Sequence, residues 1–168
     1  MTSETNGLEA ISGPSGYRPN VGIVVFNAEG KVWIGHRAGI SGDHAWQFPQ
    51  GGVDEGEDLE IAARRELQEE TGITSVEIIG RTTEWIVYDF PPDVLAQKKI
   101  GRNFKGQKQI WFAMRFTGKE SEIDLDAFHE PEFSRWQWCD LDRVIDRVVS
   151  FKRDSYRQVI AEFRRLVG

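Results

Sequence analysis

At 168 residues, with 39% hydrophobic and 29% charged side chains, the chain suits one globular domain, and no apolar run approaches the ~20 residues of a membrane helix. The net charge of -6 is local: residues 51–73 hold eight acids against two bases, and the remainder holds nineteen of each sign. That balance excludes a broadly basic nucleic-acid binder, so neither DNA nor a membrane is expected as a partner.

Residues 1–15 read as a flexible polar lead-in to a single domain over 16–168. MTSETNGLEAISGPSG has neither the basic start nor the apolar core of a signal peptide. VGIVVF (21–26) and KVWIGHR (31–37) are β-rich runs joined by Asn27-Ala28-Glu29-Gly30, a four-residue hairpin connection. AGISGDHAWQFPQGG is loop-like apart from a short apolar piece at Trp46 to Phe48. Asp58 to Thr71 is helical, with Leu59, Ala63 and Leu67 facing the core and Gly72 as the stop. VEIIGRTTEWIVYDF reads as one strand, broken by Pro91-Pro92.

KKIGRNFKGQK (98–108) follows as a loop with five bases and no acid. QIWFAMRF (109–116) and FSRWQWC (133–139) are further strands, and LDRVIDRVV (141–149) and SYRQVIAEFRRLV (155–167) are two amphipathic helices. The second of these places Tyr156, Val159, Ile160 and Phe163 on one side. Strands mixed with a central and a terminal helix predict an α/β sandwich. The single Cys139 cannot form an internal disulfide, which fits a reducing cytoplasm, and it reads as a small buried hydrophobe.

Glu66, Glu69 and Glu70 occupy i, i+3 and i+4 of the helix and project within about 100° of arc. Their carboxylates are able to converge on one point, as a hard cation such as Mg²⁺ or Mn²⁺ requires. RRELQEE read alone fits an ordinary solvated acidic face better than a metal site, because acidic runs on helices are usually solvated surface. From Gly51, five residues lead to Glu57 and seven more to Arg65-Glu66, followed by Leu67, Gln68, Glu69-Glu70, Thr71, Gly72 and Ile73.

That spacing resembles, at every fixed position, the box of the Nudix hydrolases, G-x5-E-x7-R-E-U-x-E-E-x-G-U, where U is a bulky aliphatic residue. The resemblance implies an α/β/α sandwich with a mixed central sheet and a C-terminal helix. It also implies hydrolysis, dependent on Mg²⁺, Mn²⁺ or another divalent cation, of a nucleoside diphosphate linked to another group. Glu66, Glu69 and Glu70 take the family's metal-ligand and base positions. Arg65 and Glu57 take its helix-bracing pair, and Gly51 a place where backbone carbonyl approaches metal.

The flanks GYRPNVGIVVFN, WQFPQGG, GQKQIWF, EPEFSRWQW and VSFKRDSYRQV resemble bacterial RNA pyrophosphohydrolases. The related asymmetric dinucleoside polyphosphate hydrolases share much of this, notably EWIVYDFPPDV and GQKQIWF. Glu132 matches the glutamate of the PEF segment, which helps hold metal or activate water.

Arg18, Arg37 and the basic loop, including Lys105, suit the phosphates of a polyphosphate substrate, although each is also an ordinary surface cation. Phe151 with Lys152 suits base stacking beside a phosphate, or a core anchor before the last helix. Gln107 and Tyr88 are weaker substrate candidates with structural alternatives. His36, His44 and His129 carry no ligand spacing.

The expected reaction removes pyrophosphate from the 5′-triphosphate end of RNA, a step that initiates mRNA decay, with Glu66 or Glu69 as base. Asymmetric cleavage of a dinucleoside polyphosphate is the alternative substrate reading. A non-catalytic nucleotide- or RNA-binding module is the alternative of another class.

Overall fold

The computed structural model describes residues 9–97, 104–128 and 130–167. Residues 1–8 of the lead-in, 98–103 of the basic loop, and His129 lie outside the described residues.

The fold is a mixed sheet of eight strands with helices on both faces. Its spine is β1 (Tyr17–Phe26) running parallel to β7 (Gly106–Phe116), in register from Tyr17↔Gly106 to Phe26↔Arg115. Antiparallel partners flank this pair. β2 (Val32–Arg37), β3 (Trp46–Gln47) and β8 (Phe133–Cys139) form one wing, and β5 (Val76–Arg81) and β6 (Ile86–Asp89) line β7. β4 (Gln50–Gly52) pairs with the start of β1.

Alternation along the strands sends side chains to two cores. Val24, Phe26, Val32, Ile34, Trp111 and Ala113 face the C-terminal helix. Val21, Ile23, Val25, Trp33, Ile110, Phe112 and Met114 face the acidic helix.

That acidic helix, α1, spans Leu59–Thr71. Asp58 caps it by accepting the Ile61 N–H, and Gly72, at φ 78°, closes it with its N–H on the Gln68 carbonyl. Leu59, Ala63 and Leu67 are fully buried, as their spacing predicts. A short α2 (Pro92–Gln97) starts on the second of the two prolines, where a missing N–H costs nothing. In α3 (Arg153–Phe163) Tyr156, Val159, Ile160 and Phe163 are buried together, as expected.

The structure corrects the sequence reading in several places. Gln50–Gly52, read as loop, is strand β4, because the ladder of β1 supplies its partners. VEIIGRTTEWIVYDF is two strands, because Thr82 leaves the ladder and bonds both backbone groups of Trp111. Its N–H donates to the Trp111 carbonyl, and its Oγ1 accepts the Trp111 N–H. LDRVIDRVV is not an α-helix. It is a 3-10 turn over Leu141–Asp146 followed by extended Val149, in keeping with its β-branched content and the three-residue spacing of buried Leu141 and Val144. β1 and β7 also begin earlier than their apolar runs, because the parallel ladder supplies partners to the polar YRPN and GQK segments.

Among the described residues no helix is long and apolar enough to cross a membrane. Within the lead-in, Ala10 is buried, Glu9 pairs with Arg81 at 2.5 Å, and Trp85 Nε1 donates to Ser12 Oγ. Cys139 is buried, as expected.

Candidate active site

β4 passes directly beneath α1. A Cβ on Gly51 would lie 2.0 Å from the Glu66 carboxyl carbon, so only glycine lets that carboxylate rest on the strand. One turn on, Glu70 is 8% exposed and its Oε2 accepts the Gln50 N–H at 3.1 Å. Burial, then the charges of Glu132 and Glu66, push the Glu70 carboxyl well above the ordinary range, against the pull of the Gln50 N–H and Lys152. Glu66 is raised by burial as well, opposed by Arg65 and reinforced by Glu69 and Glu57.

Arg65 ties this face together. Its Nε and NH2 grip both oxygens of Glu57 at 2.8 and 2.9 Å, and NH2 also reaches the Gly52 carbonyl at 3.0 Å. Its NH1 donates to Glu66 at 2.8 Å and to Glu69 at 3.2 Å. The bond from Arg65 holds the Glu57 carboxyl below its ordinary range, and the same bonds raise Arg65. Glu57 also accepts the Asp54 N–H, so the loop entering α1 is fastened at both ends.

The side chains do not converge on one point as the helical spacing suggests. Glu66 and Glu69 share Arg65, whereas Glu70 turns inward to β4, and among the described residues no three acid or His side chains are grouped as a ready metal cage. The donor chemistry nevertheless fits a hard divalent cation. The donors are carboxylates and backbone carbonyl, Glu70 is buried without an ion pair among the described residues while half-buried Glu66 shares Arg65, and Glu132 stands within electrostatic reach of Glu70.

The cationic and aromatic candidates come from separate elements. The Arg18 guanidinium lies over Gly52, where a Cβ would sit 2.6 Å from its NH2. Lys152 is 6% exposed, donates from Nζ to Gln47 Oε1 at 3.3 Å, and lies about equally far from the rings of Tyr88 (5.9 Å) and Phe151 (6.0 Å). Those rings are 5.9 Å apart at a tilt of 44°. The Tyr88 hydroxyl donates to Gln107, and burial raises it, against Gln50, Arg37 and Arg18. Arg18, Arg37, Tyr88, Gln107, Phe151 and Lys152 are therefore brought together.

Lys105 is not placed with them. It is exposed, 4.8 Å over the ring of Tyr17, whose hydroxyl donates to Asp89. His36 is a packing residue, its Nε2 3.0 Å from the Gly42 carbonyl and its ring edge-on to Trp46.

Sequence reasoning missed a buried amide chain. Gln109 Nε2 donates to Asn20 Oδ1 at 2.8 Å and Gln50 Oε1 at 3.1 Å, and its own oxygen accepts from Trp111 Nε1. No local pattern signals it: Gln107, two residues before Gln109 in GQKQIWF, bonds Tyr88 instead.

Residues 16–159 match the NUDIX domain family. The RNA pyrophosphohydrolase of Caulobacter vibrioides (strain NA1000 / CB15N) is 58% identical over 148 residues, covering 88% of this chain and 86% of that protein. A Wolbachia pipientis protein of the same name is 44% identical over 157 residues, covering 94% and 95%. Among solved structures, the E. coli dihydroneopterin triphosphate pyrophosphohydrolase superposes with a TM-score of 0.65 at 20% identity, covering 87% of this chain and 98% of that one. At that identity the likeness is one of fold.

Proposed function

Because the chain belongs to the Nudix family, we propose that it is a pyrophosphohydrolase that removes pyrophosphate from the triphosphorylated 5′ end of RNA. The observation that carries this reading is the pairing of a like-charged carboxylate face on α1, where Glu70 is buried against β4, with a cationic, aromatic wall at Tyr88, Phe151 and Lys152. A polyanion reaches the carboxylates only with a cation between them. Mg²⁺, or Mn²⁺ in its place, would be held by Glu66, Glu69, Glu70, Glu132 and the Gly51 carbonyl, and would supply charge neutralisation and acidify water.

The chain's own groups do the rest. Arg18, Arg37 and Lys152 hold the phosphate chain, and Phe151 with Tyr88 stacks the first bases. Water loses its proton to the Glu66/Glu69 pair, its oxygen bonds to phosphorus, and the phosphoanhydride bond breaks. The products are 5′-monophosphate RNA and pyrophosphate, or two phosphates released in turn. Such a reaction in the cytoplasm would start mRNA decay. Arg65 and Glu57 fix the glutamates' orientation without touching the reacting atoms.

The test is pyrophosphate or phosphate release from 5′-triphosphorylated RNA with Mg²⁺ and with EDTA. Metal-dependent release is expected. Tight RNA binding with no release under either condition would establish a non-catalytic binding module instead.

A further inference from the structure

A second cationic feature, which the reaction does not use, is built on β3. Trp46, in β3, is covered by two guanidinium groups, Arg135 from β8 at 5.3 Å and Arg147 from the turn before α3 at 4.7 Å. The His36 ring abuts its edge at 5.1 Å. The Arg147 backbone carbonyl accepts the Trp46 N–H, and the guanidinium faces the Gln137 amide, which accepts from it once turned to present its oxygen.

Among the described residues neither Arg135 nor Arg147 has a carboxylate within ion-pair distance, in contrast to Arg65, Arg81, Arg143 and Arg164. Arg135 is exposed and Arg147 half-buried. An arginine stacked on an aromatic face has already lost side-chain freedom; Arg135 keeps its N–H edge for an anion, whereas Arg147 shares its terminal nitrogens with Gln137.

The position of this ledge says which anion. Trp46 shares β3 with Gln47, whose side chain leaves the strand on the other face and holds Lys152 Nζ at 3.3 Å. Arg147 precedes Phe151 by four residues, and Arg135 follows Glu132 by three. The backbone joins the ledge to the elements of the site: the Ala38 N–H donates to the Glu132 carbonyl and the Arg37 N–H to the Ala45 carbonyl, so Arg37 and Glu132 flank His36 and Trp46. We propose that Arg135 and Arg147, set on Trp46, bind the phosphodiester backbone of the RNA substrate beyond the nucleotides held at Phe151 and Lys152. The inference rests on the RNA reading above and adds to it a reason for preferring a chain over a dinucleotide. It also confines basic contact to one track, in keeping with the neutral charge balance outside residues 51–73.

The experiment measures kcat/KM of wild type and of the double variant Arg135→Gln/Arg147→Gln on two 5′-triphosphorylated RNAs, a dinucleotide and one of about ten nucleotides. In the double variant the ratio of the longer to the shorter substrate falls about tenfold at low salt, and the log–log salt slope on the longer RNA weakens by about 1.4. The loss resides in KM, and Arg135→Lys/Arg147→Lys recovers most of it. The thermal midpoint is read alongside. If the double variant does not fold, exposed Arg135→Gln alone carries the test, with a fall of about threefold.

An unchanged ratio, even with both rates lowered, overturns the proposal and leaves the arginines as supports for Trp46 or as a dock for an acidic protein. Failure of wild type to turn over either RNA is a separate result, and it overturns the RNA reading itself.

Discussion

The two halves of the site are built on opposite plans. The acidic half, Glu132 apart, lies within one stretch of 23 residues, and its charges answer one another through Arg65, which bonds Glu57, Glu66, Glu69 and Gly52. The cationic half is drawn from β1, β2, β6, β7 and the approach to α3, and its members touch rings and amides more than acids. The first half is braced before any ligand arrives. The second is completed by the ligand, so damage to the first should fall on turnover and damage to the second on binding.

The largest expected effect follows from Glu69→Gln, which removes a carboxylate already exposed at the face. Turnover falls by about 10²–10⁴ while the thermal midpoint holds, in single-turnover assays at saturating Mg²⁺. Near-wild-type turnover would remove Glu69 from the chemistry.

Lys152→Met keeps the buried stem and deletes the charge. KM for triphosphorylated RNA rises about tenfold with kcat little changed, because one charge-assisted phosphate contact is lost. A fall confined to kcat would move Lys152 from the binding half to the acidic half and break the comparison.

The smallest effect is on stability. Burial, Glu132 and Glu66 make folded Glu70 hold its proton more tightly than the unfolded chain does. Its contribution is complete below the ordinary glutamate range and is lost as pH rises through the raised value. In EDTA, Glu70→Gln should therefore raise the urea midpoint at about pH 8 and leave it nearly unchanged at about pH 4. A midpoint lowered at both would show that the Gln50 contact outweighs the buried charge.

The same contrast explains what was legible in the sequence. The acidic half could be read because its residues are neighbours on one helix and its buried face repeats through Leu59, Ala63 and Leu67. What spacing could not show is that Glu70 turns to Gln50 while Arg65 takes oxygens from Glu66 and Glu69; that is settled by where β4 crosses the helix. The cationic half was legible only one residue at a time. Lys105 and Lys152 read alike as basic residues, yet one is exposed over the half-buried ring of Tyr17 and the other is buried against Gln47. The amide chain Asn20, Gln109 and Gln50 joins three strands, and no local pattern announces such a meeting.

The central claim is that both halves serve one substrate, the triphosphorylated end of an RNA chain. Its most direct measurement is kcat/KM of the wild-type protein, side by side, on 5′-triphosphorylated RNA and diadenosine tetraphosphate with Mg²⁺. The account predicts a clear preference for the RNA, with monophosphorylated RNA as product. A large preference for the dinucleotide, cleaved to a nucleoside triphosphate and a monophosphate, would contradict it.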